Sequence, residues 1–260
     1  MATALFNTEK GTSWIVATGA LTNVARCFEK YGERLADWVK GVSIMGGAIG
    51  NGFTDAKLGK VGGEERMGNW SAWAEFNVLV DPEAASFVLG MEGLKGKLVL
   101  MPLDVTHLVL ATEDVQNLLL NGREGTGNGG SRLRRALVEL LVFFASTYRE
   151  VFGLEEGPPL HDPLAVAVVL DGVVGAEIPF YDYKEGEKGK RERYEVKVVT
   201  EGSHEDAQNG AETGRTIVRL LPEGEEGVKI PRGLNIERFW IVVEECLERA
   251  DEANQAKGVE

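Results

Sequence analysis

The chain has 260 residues, 43% hydrophobic and 27% charged, a balance that supports one folded domain with a substantial core and argues against a disordered tail. Its formal net charge of −13 argues against a nucleic-acid binder, which would need a basic face to neutralise phosphates, and is compatible with a site for a cation. Cys27 and Cys246 lie far apart with no CxxC spacing, the usage of a reducing compartment. No apolar run approaches the roughly 18 residues of a membrane span, and the first residues lack a basic-then-apolar leader. The expectation is a cytoplasmic protein with no membrane partner.

Trp14 to Ala17 is a short apolar run, followed by Thr18-Gly19 and then a helical pattern, LTNVARCFEKYGERLADWV. A second apolar run, Val42 to Met45, ends at Gly46-Gly47, and a third, Lys97 to Met101, closes at Pro102. Short buried strands alternating with amphipathic helices predict βαβ units. The fold class is therefore α/β: an open, mostly parallel, Rossmann-like sheet flanked by helices, in one domain over 1–260. Ligands bind at the carboxyl ends of such strands. Asn51 to Gly68 reads as a long loop at one of these ends.

Thr112 is a candidate N-cap for a helix over Glu113 to Leu120, and Ser131 for a long helix to about Phe152. Between them GTGNGG, Gly125 to Gly130, fits GxGxxG by letter but follows a helix, so it reads as a connector. His161-Asp162-Pro163 opens a further apolar helix, with Asp162 placed to cap it. AEIPFYDY and YEVKVVTEG flank the charged run KEGEKGKRER and predict a late β-hairpin with a solvated turn. TIVRLL and a last helix, Ile236 to Ala250, follow, the helix carrying a core stripe of Phe239, Trp240, Val243, Cys246 and Leu247.

Two segments hold candidate chemistry. MGNWSAWAEFNVLVDPEAA places Asn69, Glu75 and Asn77 at the head of an apolar run, where buried amides and carboxylates must find partners. Either the fold satisfies them or an incoming ligand does. His161-Asp162 has two readings, a local hydrogen bond with a helix cap or a catalytic pair, and the same ambiguity attaches to Asp104 and His107.

The blocks ATGALTNVA, IMGGA, AEFNVLVDPEAA, LDVTH and HDPLAVA, in this order, resemble the calcium-dependent nucleoside hydrolases of the inosine–uridine-preferring type. The resemblance runs from about Trp14 to the last helix. It implies that Asn69, Glu75 and Asn77 grip ribose hydroxyls, with Met45 packed near the sugar or purely in the core. It further implies that Thr18, through its carbonyl, and Asp162 are calcium ligands, and that His161 helps protonate the departing base. The implied partner is a small-molecule ribonucleoside, hydrolysed at its N-glycosidic bond in purine or pyrimidine salvage; homo-oligomerisation is left open. Tyr148 and Trp73 read either as base-stacking or as core residues.

The sequence also departs from that family. Members open with an aspartate cluster, D-T-D-P-G-x-D-D, that supplies the general base and most calcium ligands, whereas the ten aspartates here are scattered singly. The chain thus resembles the C-terminal two-thirds of a nucleoside hydrolase, a fold lacking its N-terminal strands. Three expectations follow: a hydrolase impaired on its own, an inactive ribose-binding protein, or a fragment that needs a partner chain.

Overall fold

The structure, a computed structural model, describes the chain except for residues 62, 124–129, 185 and 259–260. Its centre is a parallel sheet of β1 (Trp14–Ala17), β2 (Gly41–Met45) and β5 (Leu98–Met101), in the order β1-β2-β5. Every residue of β2 and β5 is buried, as expected for parallel strands covered on both faces. Crossovers are made by α2 (Thr22–Trp38) and by a longer excursion through α3 (Phe76–Val80) and α4 (Pro82–Leu89). A short helix, α1 (Ala2–Phe6), precedes β1 and packs on α2.

The two edges of this sheet differ. Outside β5 the chain returns at Lys229, whose N–H donates to Leu98 O and whose carbonyl accepts from Leu100 N–H, both at 2.9 Å. Outside β1 no strand pairs among the described residues, and Val16 is exposed there.

After β5 come α5 (Leu103–Thr106), α6 (Glu113–Asn121), α7 (Arg132–Phe152) and α8 (Asp162–Ala167). Local capping sets several of their starts. The hydroxyls of Thr112 and Ser131 accept from Val115 and Arg134 N–H, as the sequence predicts. At α8 the cap is shifted by one residue. His161 occupies the cap position, Asp162 is the first helical residue, and the Asp162 side chain caps nothing. α8 lies against β1, β2 and β5, and the fully buried Ser43 of β2 donates to Ala165 O at 2.6 Å.

Three other expectations are corrected. The loop Asn51 to Gly68 contains a small antiparallel ribbon, β3 (Lys60–Val61) with β4 (Glu64–Glu65). The predicted hairpin does not form across the charged run: β6 (Phe180–Tyr181) pairs with β9 (Gly233–Leu234), while β7 (Tyr194–Val198) pairs with β8 (Thr216–Leu220). The hairpin is β7–β8, joined through α9 (His204–Gln208); it forms its own two-stranded sheet and is linked to β5 through isolated bridges, Tyr194 with Val228 and Val99 with Lys229. At the end of the charged run, Glu192 and Arg193 are buried, with Arg232 on Glu192 and Asp182 on Arg193.

The last helix, α10 (Ile236–Ala256), buries Phe239, Trp240 and Leu247 but exposes Cys246. Glu244 is buried in its place, because Arg123 and Arg134 each reach its carboxylate at 3.0 Å. Of the GxGxxG match only Gly130 is among the described residues. Replacing Ser43 with Ala should lower stability by about 1–2 kcal/mol in urea titration, since it removes the buried bond that seats α8 on the sheet.

Candidate active site

The carboxyl ends of β1, β2 and β5 lead into Thr18, Gly46-Gly47 and α5, and most of the candidate residues gather there. Glu75 is 2% exposed and caps α3. Its Oε1 accepts from Asn77 N–H at 2.8 Å, and its Oε2 from Gly47 N–H at 3.0 Å and Val78 N–H at 3.2 Å. Gly47 has φ +84°, and a Cβ there would lie 2.8 Å from Thr216 Oγ1, so the MGG turn needs glycine for two reasons. A carboxylate offers about four lone pairs, so Glu75 keeps one, on Oε1, for another donor.

Asn77 donates through Nδ2 to Met45 O at 3.2 Å and Sδ at 3.3 Å, and its Oδ1 has no partner among the described residues. Met45 is 3% exposed and belongs to the core cluster, so it is both a packing residue and the seat of Asn77. Asn69 accepts from Phe76 N–H at 3.0 Å, which leaves its Nδ2 free. The turn before it approaches Ala74 so closely that a Cβ on Gly68 would sit 2.2 Å from Ala74 O. The fold therefore satisfies much of this polar group and leaves a remainder.

His161 is held at both ring nitrogens: Thr106 Oγ1 lies 2.8 Å from Nδ1 and Tyr148 Oη 2.6 Å from Nε2. Enclosure, with the His107 ring beside it, pulls the His161 pKa down to about 3, so the ring is neutral at pH 7 and carries one N–H. Thr106 and Tyr148 must then take opposite donor and acceptor roles. Burial, together with the charges of Glu75 and Asp162, raises Tyr148 to about 12. The field of Asp162 also reaches Glu75, so acid, phenol and imidazole share one neighbourhood.

The loop over this neighbourhood is pinned by residues that sequence reasoning left ambiguous. Asp104 is buried and accepts from Ile49 and Gly50 N–H, both at 2.8 Å, an anchoring role. His107 Nδ1 lies 2.8 Å from Lys57 O and must be the protonated nitrogen, because a carbonyl only accepts. Burial takes its pKa to about 4, and Nε2 has no partner among the described residues. Arg232 lies over the Phe53 ring at 3.8 Å.

A family model described as inosine-uridine preferring nucleoside hydrolase matches residues 1–241. The chain belongs to this family. It is 32% identical over 239 residues to the uridine nucleosidase of Saccharomyces cerevisiae, covering 91% of this chain and 61% of that protein. It is 29% identical to the inosine-uridine preferring nucleoside hydrolase of Leishmania major over 246 residues, covering 93% of this chain and 62% of that one. A purine-preferring ribonucleoside hydrolase from Gardnerella vaginalis shares the fold, with a TM-score of 0.62 at 23% identity over 94% of this chain and 64% of that chain. A plant nucleoside hydrolase does so with a TM-score of 0.63 at 22% identity and the same coverage. The chain thus spans 61–64% of the length of these four nucleoside hydrolases.

Met45, Glu75 and Asn77 are in contact or share partners, and His161 stands with Tyr148 and Thr106. Asn69 touches Phe76 and none of the other candidates by hydrogen bond. The partnership of Tyr148 with His161 was missed in the sequence, where Tyr148 read only as a stacking or core residue. Thr106 lies inside the LDVTH block and carried no separate signal.

The residues present do not make a calcium centre. Asp162 and the Thr18 carbonyl supply at most three oxygens where calcium takes six to eight, and no group of three His, Cys, Asp or Glu side chains suited to a metal occurs among the described residues.

Burial holds the Glu75 pKa at about 7, above its usual 4.5, against the pull of three N–H donors. The folded state therefore keeps a proton that the unfolded chain releases, and this share of stability is lost as pH rises from about 4.5 through 7. Glu75→Gln should flatten that loss, on the order of 3 kcal/mol, in denaturation curves at pH 5 and pH 8.

Proposed function

We propose that the chain forms the sugar- and base-facing part of a ribonucleoside hydrolase site, acting on the N-glycosidic bond of purine or pyrimidine ribonucleosides to give free base and ribose. The observation that carries this reading is the remainder of unsatisfied polar atoms beside an imidazole–phenol pair. Glu75 Oε1, Asn77 Oδ1 and Asn69 Nδ2 offer two acceptors and a donor, a set suited to the paired hydroxyls of ribose. The sugar becomes oxocarbenium-like as the bond breaks, and the Glu75 carboxylate favours that charge. His161 and Tyr148 form a hydrogen-bonded pair from which a proton reaches the departing base. The printed names of relatives divide between uridine, pyrimidine and purine, so base choice is assigned to the loop Asn51 to Gly68 and to α7.

Calcium is the proposed cofactor of the family reaction, with Asp162 and Thr18 as its contacts on this chain. Two such residues retain it poorly, and no group of three His, Cys, Asp or Glu side chains suited to a metal joins them among the described residues. That deficit favours a second reading, nucleoside binding with little turnover by this chain alone.

Calorimetric titration with ribose, inosine and uridine, paired with chromatography of released base, separates the two. Saturable binding with base release supports the hydrolase; binding without release supports the second reading. Absence of binding at millimolar nucleoside would sink both. Asn77→Ala should weaken ribose binding about tenfold. Where turnover is measurable, His161→Ala should slow nucleosides with poor leaving groups more than activated ones, leaving ribose affinity unchanged.

A further inference from the structure

Asn69, Glu75 and Asn77 lie on a segment with little regular structure of its own. In the turn from Met67 to Ala74, Met67 and Gly68 N–H donate to Ala72 O, and Trp70 and Ser71 N–H to Ala74 O. These bonds measure 3.3–3.4 Å, longer than the usual ~2.7–3.2 Å. The helix that follows, α3, is only five residues long. Such a segment keeps its shape through what packs on it.

The arm that joins β7 to β8 packs on it, and that arm is stiff where the turn is slack. Gly214 N–H donates to Val199 O at 2.7 Å, Val199 N–H to Arg215 O at 3.0 Å, and Thr213 Oγ1 to Glu201 O at 2.7 Å. Ser203 and Asp206 form a capping box at the start of α9. The arm grips the turn at Trp73, whose indole N–H donates to Gly210 O at 3.2 Å. The Arg215 guanidinium, held by Glu212 at 2.6 Å, lies 4.5 Å over the same ring. Ala74, Leu79 and Ala207 make a small apolar cluster apart from the main core. Gly214, at φ +80°, runs so close that a Cβ there would lie 3.0 Å from Ala74 Cβ and Leu79 Cα.

The arm also reaches the strand side of the Glu75 carboxylate. Thr216 is 3% exposed and its side chain faces Gly47, whose N–H ends on Glu75. The Thr216 hydroxyl has no hydrogen-bond partner among the described residues, so Thr216 acts on the turn by its shape. We propose that this arm holds the sugar-facing residues in their binding geometry, with Trp73 and Thr216 as its positioning residues. Trp73 fixes the turn that carries Asn69, and Thr216 fixes the Gly47 donor on which Glu75 rests. Trp73, which the sequence left as stacking or core, is thereby an anchor for the arm. The inference rests on the reading of Asn69, Glu75 and Asn77 as sugar contacts.

Amide hydrogen exchange by NMR and calorimetric titration with ribose, both on the full chain, test it. Trp73→Leu should speed exchange at Phe76, whose N–H ends on Asn69, and at Asn77, by at least about tenfold. Thr216→Ala should do the same at Gly47, while amides of β2 and β5 keep their wild-type rates in both variants. Ribose affinity should fall roughly tenfold in each, as expected when contacts are misplaced and not removed. Thr216→Val keeps the shape without the hydroxyl and should match wild type. Where Trp73→Leu unfolds, Trp73→Phe removes only the N–H bond and is read at the same amides. Unchanged exchange at these amides overturns the proposal, and so does unchanged ribose affinity. A parallel rise across β2 and β5, or a Thr216→Val that behaves like Thr216→Ala, also overturns it. A wild type that binds no ribose sinks the sugar-site reading, while the exchange rates still decide whether the arm holds these residues.

Discussion

The carboxylate of Glu75 ties the end of β2 to the start of α3, and the site depends on that tie. Gly47 N–H comes from the strand side, Asn77 and Val78 N–H from the helix side, and all three end on one buried side chain. Burying an acid is costly, and the donors plus the helix N-terminus offset that cost. Removing the acid would leave three N–H groups facing each other across the turn. Asn77 is oriented by the same arrangement, because the helix that Glu75 caps sets its amide onto Met45.

What the sequence disclosed and what it hid divide along the distance between partners. The strands Trp14–Ala17, Gly41–Met45 and Leu98–Met101 were legible because each is a short apolar run closed by Gly, Pro or a polar residue. Thr112 and Ser131 were legible because a cap bonds three residues ahead. The late hairpin was misread because strand pairing is not local: β6 turned to β9, more than fifty residues on, and β7 took β8. Cys246 was placed inside by helical spacing, whereas Glu244 is the buried residue, drawn in by arginines on other segments.

The site shows the same division. Asn69, Glu75, Asn77 and His161 were found as members of motifs, and the motifs carried their family. Spacing could not show that Glu75 would be mostly satisfied by backbone, nor that Tyr148 would fold back to His161 from the helix before it. Asp104 and His107 sit in the same block of sequence and turn out to anchor the loop from Ile49 to Lys57. Their chemistry matters to the site by holding the loop in place.

The unequal edges of the parallel sheet limit how it can misassemble. Fibres that grow by strand addition need two open edges, so that each added molecule offers the next one a template. Here the return of the chain at Lys229 covers β5 and, through Val228 on Tyr194, passes the hydrogen-bonded array on to β7 and β8, so among the described residues its open edges are β1 and β8. The two edges differ, one being a short parallel strand and the other the outer strand of an antiparallel hairpin. Pairing of β1 with β1 of another molecule therefore uses up that edge in a single step, and any further growth has to go through β8.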